Sequence, residues 1–310
     1  MENELALFEE NLPENRMDVR SYMPSVFVTA SLPIRNVKKN TFERKFNNIS
    51  MYLNGLNNVP YGKYGRLLLS LLTTYAVLNG QNGPVEIKYD SFRQLLDDLG
   101  LPKQRTKEIK EQLDCFVKCD FSYEQKIQKT ISKPLFLDLD LEEETCLATA
   151  VKYEKIAFVR SMEYVSLGEG EKETIVGLKI VLGDDFVRLC QNHSVPINYT
   201  VYKEINSSLG KDLYAWVVYR NNSLENGKPM FFSKQNLVNQ FFTESNSEDK
   251  EATFRANWKV IKDQLALIKK EYYPELKLEY TDSGILLEKS PPVVLGNDTR
   301  YILITSNFSK

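Results

Sequence analysis

The chain has 310 residues, 42% of them hydrophobic, which is length and apolar content for two domains of ordinary size. A formal net charge of −2 and a pI near 5.8 exclude a histone-like polycation. They leave nucleic acid open, because a binding face needs clustered Lys and Arg rather than an overall excess. The four cysteines, Cys115, Cys119, Cys146 and Cys190, form no C-x-x-C pair and lack the density of a secreted disulfide scaffold, so reduced, buried thiols are expected. No apolar run reaches the ~20 residues of a spanning helix, and the acidic start is unlike a secretory signal. A cytoplasmic protein without a membrane partner is the expectation.

Taken in order, residues 1–20 are polar and acidic and read as a mobile arm. Met23 to Leu32 carries enough apolar and β-branched residues for a strand. Arg35, Lys38, Lys39, Arg44 and Lys45 form a basic patch, either a phosphate-facing loop or a solvated connector. Ile49 to Leu53 followed by Asn54-Gly55 reads as a strand and tight turn. An apolar helix over Arg66 to Tyr75 and a short strand at Val85 to Lys88 come next. Asp90 or Ser91 caps a helix with Phe92, Leu95, Leu96 and Leu99, which Gly100 stops. A further helix has Ile109, Leu113 and Phe116 as its apolar stripe, with Lys103, Lys107 and Lys110 on a neighbouring face.

Phe121-Ser-Tyr begins a strand, and Lys129 to Thr149, with its acidic run Asp138 to Glu144, reads as a long loop. Tyr153 to Val165 and Thr174 to Leu182 make a hairpin across Gly168 and Gly170, whose positive φ would permit the return. Asp184 can cap a short helix with Phe186, Val187 and Leu189. Asn192 to Asn206, with Pro196, is the candidate linker, and limited proteolysis should cut there or within Lys129 to Thr149 and leave two folded pieces.

The pattern then repeats at an offset of roughly 145 residues, the sign of a duplicated module. Lys211 to Tyr219 answers the first apolar helix, and Pro229-Met-Phe-Phe the short strand. Ser233 caps a helix with Leu237, Val238, Phe241 and Phe242. From Thr253 to Tyr272, Phe254, Trp258, Ile261, Leu265, Ile268 and Tyr272 recur at steps of four and three on one buried stripe. Arg255, Lys259, Lys262 and Lys269 each follow a stripe position by one residue and form a cationic face. Leu276 to Tyr280 and Ile285 to Glu288 are strands joined at a turn where Gly284 would take positive φ. Helix, helix and wing in this order is the outline of a winged helix. The fold expected is therefore α+β, with two tandem winged-helix domains at 21–195 and 196–310, the first with extra strands and an enlarged wing hairpin.

At Pro60-Tyr-Gly, Arg66-Leu-Leu-Leu, Leu95 to Leu101 and Leu213-Tyr-Ala-Trp-Val-Val-Tyr-Arg220, the sequence resembles plasmid-encoded replication initiators of the RepA type. The resemblance covers about Pro60 to Arg220. It implies winged-helix modules that bind double-stranded DNA at plasmid origin repeats and help to open the origin, with host replication proteins recruited afterwards. The segment from Pro102 to Lys110 is less arginine-rich than this family would lead one to expect, so either it contacts DNA or the first module mainly mediates dimerisation.

The DNA-binding residues expected are Lys103, Arg105, Thr106, Lys107 and Lys110 in the first module and Thr253, Arg255, Asn257, Lys259, Lys262 and Lys269 in the second. Arg255 and Asn257 would read guanine and adenine edges from the front of the long helix, while Lys262 and Lys269 would meet phosphate. The first module's extra strands could pair with a second copy to form a homodimer. Catalysis, cofactor and metal are not expected. His193 is the sole histidine, so a rolling-circle initiator would lack its metal ligands, and there is no P-loop motif and no EF-hand spacing. A winged-helix transcription regulator and a winged-helix protein-interaction scaffold are the alternatives, with an enzyme the weakest.

Overall fold

A computed structural model describes residues 20–80, 83–131, 146–168, 174–242 and 249–294. It begins with β1 (Arg20–Pro24) and a short α1 (Ser25–Thr29), where the sequence pattern had suggested one strand from Met23 to Leu32. The break has a local cause. Pro24 stands at the N-cap, and Val26, Phe27 and Val28 are buried in succession, which a strand with one face in water cannot achieve. Next come β2 (Thr41–Phe46) and β3 (Ile49–Gly55), which form a hairpin. Its return lies at Asn47, with φ of 53°, and not at Asn54-Gly55, which stays in the ladder opposite Asp120 and Cys119.

The first repeat comprises α2 (Gly62–Asn79), β4 (Glu86–Tyr89), α3 (Phe92–Asp98) and α4 (Thr106–Val117). Ser91 caps α3 by accepting from the Gln94 N–H, and Gly100 follows with φ of 65°, as the turn chemistry requires. Ile109, Leu113 and Phe116 of α4 are buried. β5 (Cys119–Ile131) and β6 (Cys146–Ala157) then pair from Asp120↔Ala157 to Ile131↔Cys146. The expected loop is therefore strand at both flanks, and its acidic run lies outside the described residues. Nor is Tyr153 to Val165 one strand. The chain leaves β6 at Phe158 and continues as β7 (Val159–Leu167), which pairs with β8 (Thr174–Leu182) in another sheet. Phe158 causes the switch by turning inward, with ring centroids 4.7 Å from Phe121 and 5.0 Å from Phe116. Gly168 takes a φ of 85°, while Gly170 is outside the described residues.

α5 (Asp184–Asn192) leads into the stretch expected to be a linker. It holds β9 (Ser194–Asn198), antiparallel to β1, and α6 (Tyr199–Glu204). The second repeat has α7 (Ser208–Ser223), β10 (Met230–Ser233), α8 (Lys234–Phe241) and α9 (Lys250–Leu267). Ser207, Ser233 and Asp249 cap the three helices. A π turn at Ile268–Tyr272 ends α9, and β11 (Leu278–Tyr280) and β12 (Gly284–Leu287) close the repeat. Gly284 does not adopt positive φ. It is needed for close approach, since a Cβ there would stand 2.0 Å from the Phe232 carbonyl oxygen of β10.

The result is an α+β fold in which the second repeat runs helix, strand, helix, helix, strand, strand, and the first follows the same order with β5 and β6 inserted before its closing strands β7 and β8. Their three-stranded sheets share one order: β4-β8-β7 in the first and β10-β12-β11 in the second, with the first strand against the last. The first repeat also carries a four-stranded sheet, β2-β3-β5-β6. One hydrophobic cluster extends from Met23 to Leu287 through both repeats.

Candidate nucleic-acid interface

α9 is held by Ile261, Leu265 and Ile268, all buried, whereas Phe254, Trp258 and Tyr272 on the same stripe are only partly covered. Its front half therefore lies at the rim of the core. Arg255, Lys259 and Lys262 are exposed on one side of this helix. Arg255 sits 3.3 Å from Glu251 in an exposed pair that constrains it little. Lys262 places its ammonium 5.2 Å from the Tyr280 ring centroid, and the Tyr280 hydroxyl donates to the Lys262 carbonyl, so strand β11 braces the basic face.

Thr253 and Asn257 are elsewhere. Two residues apart on an α-helix means a turn of about 200°, so Asn257 cannot share a face with Arg255. Both Thr253 and Asn257 line a groove of about 620 Å³ that α9 makes with α8 and β2. Thr253 also donates its hydroxyl to the Asp249 carbonyl. Lys269 is turned to β11, where its ammonium donates to the Leu278 carbonyl at 2.9 Å. The structure thus joins Arg255, Lys259 and Lys262 and separates from them Thr253, Asn257 and Lys269.

In the first repeat, Lys103, Arg105 and Lys107 are exposed at the start of α4. Arg105 pairs with Glu108 at 2.7 Å, which raises the guanidinium pKa and lowers that of the carboxyl. Thr106 is spent on a local bond to the Lys103 carbonyl. Lys110 lies 5.6 Å from the Tyr164 ring of β7, over an apolar pocket of about 260 Å³ between α4 and the β7–β8 hairpin. This face is more closely covered by the β7–β8 hairpin than the face of α9 is by β11.

Three cationic groups missing from the expected set are buried. Arg66 of α2 makes a two-pronged ion pair with Asp212 of α7, both contacts 2.6 Å, and also donates to the carbonyls of Leu32, Pro33 and Gly62. Beside it, the Lys211 ammonium donates to the Tyr202 carbonyl, and burial with the nearby Arg66 and Lys63 charges brings its pKa down to about 7. Charged residues at matching positions of two otherwise apolar helices were the available signal. Arg44, counted above in a basic patch, is also buried: it donates to the Gln240 carbonyl of α8 at 2.9 Å, and burial lowers its pKa to about 10. The alternation Phe42, Arg44, Phe46 places it on the inward face of β2.

Among the described residues no cluster of His, Cys, Asp and Glu could hold a metal ion, and no helix is long and apolar enough to cross a membrane. The thiols of Cys115, Cys119 and Cys190 are buried, and burial pushes their pKa values up, Cys115 to about 11 and Cys119 to about 12. That is the opposite of an activated nucleophile.

No protein-family model matches the chain, and no curated protein is significantly similar to it. Among solved structures, the chain is similar to the crystal structure of selenomethionine derivatives of domain 2 and domain 3 of RctB, with a TM-score of 0.50 and 10% identity over 86% of this chain and 97% of that one. A second crystal structure of RctB domains 2-3 gives a TM-score of 0.46 at 11% identity, over 84% and 94% of the two chains. At such identity what is shared is the fold: the α+β arrangement described here is similar to that of RctB domains 2 and 3.

Proposed function

We propose that the protein binds double-stranded DNA through two tandem winged-helix modules and serves as a plasmid replication initiator, engaging repeated origin sites and helping to open the origin before host replication proteins arrive. The observation that carries this reading is the basic face of α9. It belongs to the helix that follows α8, is exposed along Arg255, Lys259 and Lys262, and is braced by a two-stranded wing. A helix so placed enters the major groove front first, with Arg255 near base edges and Lys262 near phosphate. The repeated order of elements and the likeness to a piece containing two RctB domains support the tandem arrangement. In the first module, Lys103, Arg105 and Lys107 are the residues left to meet DNA.

The first module also supports a homodimer. β7 is an edge strand, and Tyr164, Val165 and Leu167 on it are exposed apolar side chains, a combination that favours pairing with a second copy. Sedimentation at increasing concentration checks this, and a monomer throughout would remove it.

Footprinting on the replicon that carries the gene tests the function. Repeated protected sites beside an AT-rich origin are expected, whereas one operator at a promoter would identify a regulator. In parallel, the folded triple variant Arg255→Ala, Lys259→Ala, Lys262→Ala should lose specific binding and flatten the dependence of log affinity on log salt by about one unit for each phosphate contact removed, that of Lys262 first. Unchanged binding would remove α9 from the interface.

A further inference from the structure

Arg44 is 4% exposed and has one polar partner, the Gln240 carbonyl, among the described residues. Its Nε is buried with no hydrogen-bond acceptor. The carboxylate that most favours its charge is Asp212, which is already committed to Arg66. A buried cation without a counter-ion is costly, and an anion supplied from outside would relieve it. Arg44 lies in the groove of about 620 Å³ between β2, α8 and α9, which is open to solvent. Lys250, the first residue of α9, lines the same groove, together with the neutral hydrogen-bonding groups of Asn239 and Asn257. Glu43 is also there, but it is paired with Lys45 at 2.6 Å. Asp249 caps the first turn of α9, so the anion's partners are the side chains and not the helix end alone.

From this juxtaposition we infer that the groove seats a backbone phosphate of the bound DNA, so that β2, from the four-stranded sheet, joins α9 as part of the contact surface. The inference rests on the DNA-binding reading above. It extends that reading, because Lys250 and Asn257 belong to the same helix as Arg255 and Lys259 but occupy the opposite flank. One phosphate strand would then run along the β2 side of the helix while the exposed face meets the groove of the duplex. The inference also gives Asn257 a phosphate to hold where base readout had been expected.

The test is anisotropy of a labelled duplex from the replicon, titrated with the full chain over a series of salt concentrations, with thermal unfolding of each variant alone. Lys250→Ala should reduce the salt slope by about 0.9 and weaken binding to specific and random duplexes alike. Arg44→Gln should weaken binding several-fold while leaving the free protein's Tm unchanged or higher, since it removes an uncompensated charge. If instead the folded Arg44→Gln variant has a lower Tm and wild-type affinity, the residue is only a tie to α8 and the inference is overturned. An unchanged salt slope in Lys250→Ala overturns it independently, whatever the fate of the Arg44 variant. Protection of the wild type by inorganic phosphate at constant ionic strength, with no effect of either variant on duplex binding, would identify a site for free phosphate and also overturn it. Should the groove variants bind normally while the α9 triple variant does not, only the groove assignment fails. If the wild type binds no duplex, both readings fail.

Discussion

Lys211 shows what the junction of the two repeats costs and how that cost can be measured. Its ammonium is buried beside Arg66, and its pKa in the folded chain is about 7, against about 10.4 when solvated. Between those values the unfolded chain holds a proton that the folded chain has released, so stability rises with pH there. The contribution is complete above the unfolded value and is lost as pH falls to about 7, with a slope of at most about 1.4 kcal/mol per pH unit for one group. The buried thiols act in the opposite sense, because their folded pKa values are raised. Comparing wild type with Lys211→Met therefore isolates the lysine. Urea unfolding from pH 7 to 10 should show the wild type gaining on the variant, and parallel profiles would refute the assignment. Asp212 takes two of the Arg66 donors and three carbonyls take the rest, so this is a fully bonded pair and not a stranded charge.

Helices and their caps were the elements most legible from sequence. Ser91 and Ser233 stand where a side-chain oxygen can accept from the third residue on, and the α9 stripe follows a step of three and four that only a helix satisfies. How deeply each stripe residue sits was not legible, because periodicity gives direction and not coverage. Trp258 points toward the core yet is half-buried, with the Lys234 ammonium 5.7 Å from its ring, whereas Ile261 is fully enclosed. Ile261→Ala should accordingly cost about 2–5 kcal/mol, and Trp258→Ala about half of the ~3–5 kcal/mol of an enclosed aromatic. Urea midpoints of the two variants check this ranking. A larger loss at Trp258 would mean that the front of α9 is packed more tightly than described. The candidate site divided in the same way: the run of cations at one-residue offsets pointed to Arg255, Lys259 and Lys262, while the tethering of Lys269 to β11 depends on a fold-back that periodicity does not contain.

At the scale of the whole molecule, the long-range pairings escaped the sequence reading. Ser194 to Asn198 contains a proline and polar residues, as a connector would, but its alternating Val195 and Ile197 are buried and pair it with β1. Nothing local to either segment identifies the other. Native-state proteolysis followed by mass spectrometry should therefore find the bonds from 194 to 204 resistant, since a paired strand and a helix must open before they fit a protease. Early cleavage there into two separable folded pieces would contradict this packing.

The tie between Arg44 and Gln240 has a consequence in time. Its partners are 196 residues apart. At synthesis rates of about 5–20 residues per second, β2 leaves the ribosome roughly 10–40 s before α8 exists to cover it. Throughout that interval the inward face of β2, with Phe46 beside Arg44, is without its final neighbour. The nascent amino-terminal half is thus a client that a chaperone can hold, and it completes its surface only as the last third of the chain emerges.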